Sequence, residues 1–167
     1  MDQLPDTVLP DRACDARDLL TTAAFEGVVA TVQGNNPGMD EGTASRIVDE
    51  ALKFVVAAAT SPERGLRPSK IVDEGWHGLI LHTEAYAKLC ERLGRFVHHR
   101  PERRAPGRHD ASELDRTQAA IAAAGYQPDM TLWLAPTDGR IAVAAECEHS
   151  GCSAGGDCAA PCSSTPN

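Results

Sequence analysis

Between Ala44 and Ala59 the apolar residues fall at 44, 47, 48, 51, 52, 55, 56 and 59, the i, i+3, i+4, i+7 spacing of a helix that buries one stripe. Asp49, Glu50 and Lys53 lie outside that stripe and are expected to face water. The same period precedes it from Arg17 to about Gln33, along Leu19, Leu20, Ala23, Ala24, Val28 and Thr31 or Val32, until Gly34-Asn35-Asn36-Pro37-Gly38 stops it. After Ser61-Pro62 and a Gly65/Pro68 connector, Ser69 is suited to cap a third helix over about 70 to 82, with Val72, Trp76, Leu79 and Ile80 on its core side. A fourth helix runs to about Leu93 with Tyr86, Leu89, Cys90 and Leu93 on one face, and Gly94 is placed to close it. Ser112 then caps a fifth helix over about 113 to 124, along Leu114, Thr117, Ala120, Ile121 and Ala124. Thr131 to Leu134 and Arg140 to Ala144 flank Pro136-Thr137-Asp138-Gly139 and read as a β-hairpin.

The pattern predicts a mainly α fold: a small helical domain of about five helices with a C-terminal β-hairpin and a disordered Cys-rich tail. Three stretches follow from it: an irregular lead-in over 1–16, rich in proline and aspartate, the helical domain with its hairpin over 17–145, and a Cys/Gly/Ser-rich tail over 146–167. Hydrophobic residues make up 42% of the chain but aromatic ones only 4%, so alanine fills much of the core and each large side chain carries more of the packing.

A formal charge of -8 excludes a general nucleic-acid binder, because phosphate attraction needs a basic face. Arg100, Arg103, Arg104 and Arg108 form a local exception, but Pro101, Pro106 and Gly107 interrupt them and the run reads as a solvated connector. Met1-Asp2-Gln3-Leu4-Pro5-Asp6 has neither the basic nor the apolar part of a secretion signal, and no apolar run approaches the ~20 residues of a membrane helix. A cytoplasmic protein without membrane contact is expected. In that reducing compartment six cysteines stay mostly as thiols, which favours metal binding or redox chemistry over structural disulfides.

Two places then stand out. On the third helix Asp73 and His77 are one turn apart, and His98 and His99 follow the fourth helix, so a helical hairpin would bring carboxylate and imidazole donors together. In that arrangement Asp73 either binds the metal or accepts the other ring proton of His77. Cys90 is a further sulfur nearby, although its position on a helical face fits a buried small hydrophobe better. His82 lies about 140° around the helix from His77 and is left out. The spacing matches no HExxH helix and no CxxC knuckle. The plainer alternative is that His77 bonds to Asp73, Trp76 and Tyr86 fill the core, and the two later histidines cap the hairpin.

The run from Val72 to Pro101, V-D-E-x-W-H-x-x-I-L-x-T-x-x-Y-x-x-x-C-x-x-x-G-x-F-V-H-H-x-P, resembles the core of bacterial relatives of the glycine-rich-domain-containing protein family. The segment Gly125-Tyr126-x-Pro128-x-x-x-Leu132-Trp133 is similar as well. The resemblance implies a helical domain and a tail rich in glycine and cysteine. It marks Asp73, Trp76, His77, Tyr86, Cys90, His98 and His99 as family-pattern positions and implies no reaction.

The second place is the tail, where Cys147, Cys152, Cys158 and Cys162 fall close together with His149 among them. Four thiolates suit a tetrahedral zinc or a copper(I) site, and Gly151, Gly155 and Gly156 let the backbone wrap closely. Disulfides or an untethered tail are the alternatives. The expectation is therefore a small cytosolic metal-binding protein using zinc or copper(I), with binding rather than turnover. Two other functions fit the same residues. One is a ribosomal peptide precursor whose Cys/Ser/Thr tail is modified. The other is a small Cys/His or metal-dependent enzyme built on Cys90 and a histidine.

Overall fold

The longest apolar stretch becomes the axis of the molecule. In the computed structural model, which describes residues 15–100, 111–133 and 141–143, helix α2 (Glu41–Thr60) touches α1 (Thr22–Asn35), α3 (Lys70–Leu81) and α5 (Ala111–Ala123), and α4 (Thr83–Arg92) packs on α3. Short 3-10 turns at Arg17–Leu19, Pro62–Arg64 and Met130–Leu132 complete the described elements, which are helical throughout. None of these helices is long and apolar enough to cross a membrane.

Each of the first three long helices begins at a side-chain oxygen that accepts from an otherwise unpaired N–H of the first turn. Thr21 Oγ1 accepts from Ala24, Asp40 Oδ1 from Thr43 and Ser69 Oγ from Val72. Thr21 also explains why the pattern that starts at Arg17 divides into a 3-10 turn and a separate helix. Ser69 does a second job: its hydroxyl donates to the Leu132 carbonyl at 2.6 Å and ties the start of α3 to the 130–132 turn. That turn stands where the first hairpin strand was expected. Asp129 Oδ1 accepts from the Thr131 N–H, and this local bond competes with an extended conformation. The rest of the expected hairpin lies outside the described residues, apart from Ile141, packed against the core, and the buried Val143.

The expectation that Glu50 and Lys53 face water is corrected. Both are buried, Glu50 completely, because α2 is enclosed on every side over residues 50–57: Ala51, Leu52 and Phe54 to Ala57 are buried as well. Charges on such a helix must be paired. Lys53 Nζ donates to Asp49 Oδ2 at 2.9 Å, Glu50 Oε2 at 3.1 Å and the Gln127 carbonyl at 3.0 Å. Glu50 in turn accepts from Trp133 Nε1 at 2.7 Å and the Asp129 N–H at 3.1 Å, while Asp49 Oδ1 accepts from the Ala16 N–H at 2.7 Å. The network fastens both the chain entering α1 and the 127–133 loop to one turn of α2.

Helix α3 approaches its neighbours through glycine. A Cβ on Gly75 would stand 2.7 Å from the Ile47 carbonyl oxygen and 2.9 Å from Ala51 Cβ; one on Gly78 would stand 2.9 Å from a methyl of Val32. Gly75 thus faces α2 and Gly78 faces α1. By 100° per residue, Asp73 and His77 lie about 160° and 200° around α3 from Gly75, on the side turned away from α2.

Two outcomes are expected. Gly75→Ala forces backbone of α2 and α3 apart and costs about 1–3 kcal/mol in urea unfolding, whereas Gly34→Ala, with nothing within 4 Å, is neutral or gains up to about 1 kcal/mol. Burial opposes the Lys53 charge, but Asp49 and Glu50 outweigh it and hold its pKa above the ordinary lysine value. The unfolded chain then releases that proton first, near pH 10.4, so stability is present below about pH 10 and falls as pH rises beyond it. Urea midpoints followed across this range in wild type and Lys53→Arg check the assignment, since arginine keeps its proton; an equal alkaline loss in both proteins refutes it.

Candidate metal centre

The site is built from two elements. Helix α3 supplies Asp73 and His77 at i and i+4, a spacing that stacks side chains on one face. The non-helical segment after α4 supplies His99. What places that segment is a buried chain of two hydrogen bonds: Trp76 Nε1 donates to Tyr86 Oη at 2.9 Å, and Tyr86 Oη donates to the Val97 carbonyl at 2.6 Å. Trp76 is fixed from behind by the ring of Phe54, edge-on at 5.0 Å, and Cys90 lies against Tyr86. Burial, with Cys90 adding to it, pushes the Tyr86 phenol well above its ordinary pKa, so it stays a neutral donor to Val97.

With Val97 held, burial alternates along the segment: Phe96 and His98 are exposed, whereas Val97 is buried and His99 half-buried. His99 turns inward, its ring 4.5 Å from Trp76 and 4.6 Å from His77. His98 turns out and is exposed, with its ring 4.7 Å from Phe96. Of the two histidines the sequence offered, His99 joins Asp73 and His77, and His98 does not. Cys90 is buried behind Tyr86 and stays out of the cluster, in keeping with its place on a core face. His82 ends α3, and its ring meets Thr31 Oγ1 at 2.8 Å on the far side, above Gly27 of α1. Cys147, Cys152, Cys158 and Cys162 lie outside the described residues.

The three donors converge closely. His77 Nε2 and His99 Nε2 are 2.9 Å apart, His99 Nε2 is 3.1 Å from Asp73 Oδ1, and His77 Nε2 is 3.7 Å from Asp73 Oδ2. One ligand atom from each residue can be chosen so that all lie within 4.8 Å of one another. For a zinc shell with bonds of about 2.0–2.1 Å, tetrahedral geometry gives ligand-to-ligand edges of roughly 3.3 Å; the His77–His99 and His99–Asp73 Oδ1 separations lie a little below that value, and the 3.7 Å contact to His77 is made by the other carboxylate oxygen. Asp73 meets both rings at Nε2, the nitrogens that face each other. A carboxylate that only oriented a ligand histidine would instead bind its remote ring nitrogen. Asp73 therefore lies beside the two facing Nε2 atoms and not behind the rings.

Sequence periodicity misses two supporting groups. Glu74 is buried and accepts from Asn36 Nδ2 at 2.9 Å, while Asn36 Nδ2 also donates to the Val32 carbonyl at 2.7 Å, tying the end of α1 to α3 beside Asp73. The Tyr86 hydroxyl is the other. The sequence does carry a signal for both: Glu74-Gly75-Trp76 puts a charge and an indole N–H on the crowded side of a helix, where each needs a partner.

A family model described as UCP032817-like matches residues 16–121. No curated protein and no solved structure matches the chain. The matched stretch contains all three donors and the tether that places His99.

Tyr86→Phe is expected to leave the Trp76 N–H and the Val97 carbonyl without their buried partner and to cost about 1–3 kcal/mol for each group left unpaired. The loss is checked by urea unfolding. Ring resonances of His99 should shift with the substitution while those of His98 do not; a His99 signal identical to wild type would show that the tether does not place the ring.

Proposed function

The chain belongs to the UCP032817-like family, and we propose that it binds a divalent transition metal, zinc foremost, through Asp73 Oδ, His77 Nε2 and His99 Nε2. The observation that carries this reading is the meeting of three ligand atoms from two separate elements within 4.8 Å. Two imidazoles and a carboxylate are borderline and hard donors, a set that suits zinc and disfavours copper(I), which prefers sulfur. Partial burial favours the same reading. The side chain of His99 is 18% exposed, that of Asp73 28% and that of His77 41%, so the donors are partly desolvated while an entry path stays open. The tail cysteines Cys147, Cys152, Cys158 and Cys162 form, on sequence grounds, a second and softer site for zinc or copper(I). Kinship with the bacterial glycine-rich-domain relatives is part of the proposal and rests on the Val72–Pro101 run.

Without a metal the same atoms make a hydrogen-bonded cluster, one facing Nε2 donating and the other accepting. The two states separate experimentally. Protein prepared under reducing conditions is expected to hold about one equivalent of zinc in the helical body, measured by elemental analysis. Zinc at about a hundred times its dissociation constant should then add about 2.7 kcal/mol to the unfolding free energy. His77→Ala should lose that equivalent and the metal-dependent stabilisation, whereas Cys147→Ser combined with Cys152→Ser should remove only metal held by the tail. Parent protein that binds no stoichiometric metal and is not stabilised by zinc sinks the proposal.

A further inference from the structure

We infer that a metal held by Asp73, His77 and His99 keeps an exchangeable coordination position, and that this position takes a small oxygen anion, for which acetate serves as the probe. The inference rests on the metal proposal above and extends it from holding an ion to presenting it. Closed zinc sites that only stabilise a fold use four protein donors, whereas three protein donors leave a position for water or an exogenous ligand. Here the described residues offer three. The additional donors nearest in sequence are engaged elsewhere: Glu74 with Asn36, His82 with Thr31, His98 against Phe96 and Cys90 behind Tyr86.

The shape of the site gives the open position a direction. The Trp76 ring, 4.5 Å from His99, closes the inner side. The outer side is bounded by His77, the most exposed of the three donors, and faces solvent. A shell whose protein ligands all come from α3 and the 97–99 segment is completed from that side.

Charge then selects the ligand. Two neutral imidazoles and one carboxylate leave a divalent ion with a net charge of about +1, which attracts an anion; four thiolates would leave it negative. Lys70, one turn before Asp73 on the same helix, adds a further positive charge to this end of α3. The anion enters by displacing bound water, which leaves as water. No protein bond changes and no electron is transferred.

The test uses the full-length chain in reduced form, loaded with cobalt(II) in place of zinc. A variant with Cys147, Cys152, Cys158 and Cys162 all changed to Ser is treated in the same way. Acetate is the titrant and visible absorption the readout. Both proteins are expected to show cobalt bands that shift saturably with acetate, and a further His77→Ala change in the four-serine variant should abolish the bands. Bands that ignore acetate in both proteins mean a closed shell and overturn the inference while leaving the metal proposal standing. Acetate sensitivity in the four-serine variant alone, with a thiolate-to-cobalt charge-transfer band in the parent, also overturns it, because a tail cysteine then fills the position. Absence of cobalt and zinc from the helical body defeats the metal proposal itself, and with it this inference.

Discussion

The close approach of α3 to α2 at Gly75 governs what the rest of the molecule can do. Hydrogen in place of a side chain lets the α3 backbone lie against the Ile47 carbonyl. Gly78 performs the same service against Val32 of α1. One side of α3 is thereby committed to the core, and the opposite side is turned outward. A helix clamped in this way has little freedom to rotate, so Asp73 and His77 are presented at fixed height and angle. The face carrying Asp73 and His77 is the necessary complement of a packing face, and both come from the same twelve residues.

Fixing one half of a site is useful only if the other half arrives with equal definition. Asp73 and His77 stand on a helix, whose internal hydrogen bonds hold them. His99 stands on a non-helical segment that has no such support, and the relay from Trp76 through Tyr86 to Val97 supplies it. The relay begins on α3, passes through α4 and ends two residues before His99. A single hydroxyl thus couples the positions of both halves. Because Trp76 both starts the relay and floors the site, packing and ligand geometry are joined in one side chain.

The charged network on α2 serves the fold in a different way. Burying Glu50 and Lys53 carries a desolvation cost, which for Lys53 the attraction of Asp49 and Glu50 outweighs, and removing one partner of such a buried pair typically costs about 3–5 kcal/mol. What the pair supplies is direction. Apolar contacts hold surfaces together without fixing their register, whereas Lys53 and Glu50 accept only particular partners: the Gln127 carbonyl, the Asp129 N–H and the Trp133 indole. The loop following α5 is therefore seated at one place along α2. From there the Leu132 carbonyl reaches Ser69, which caps the helix bearing Asp73 and His77. A path of specific bonds runs from the centre of the core to the start of α3.

The order and approximate bounds of five helices were legible in the sequence, because helical periodicity and capping residues are local properties. Asp73 and His77 were legible as a pair for the same reason: four residues on one helix fix their relation without reference to the rest of the chain. Trp76, Tyr86 and Cys90 also declared themselves as core positions by period. The choice between His98 and His99 was not legible, since the two are adjacent in a non-helical segment and differ only in the side they face, and that side is set by the bond from Tyr86 to Val97. Nor was the burial of Glu50 and Lys53, because α2 is surrounded by elements from distant parts of the chain that a local stripe does not record. Thr131 read as the start of a strand by propensity, yet an aspartate two residues away turned the chain. The sequence by itself determined the helices and marked Asp73, His77, His98 and His99 as candidates; tertiary structure alone decided which of them meet, because convergence depends on a glycine contact and a buried hydroxyl between segments that local patterning treats as independent.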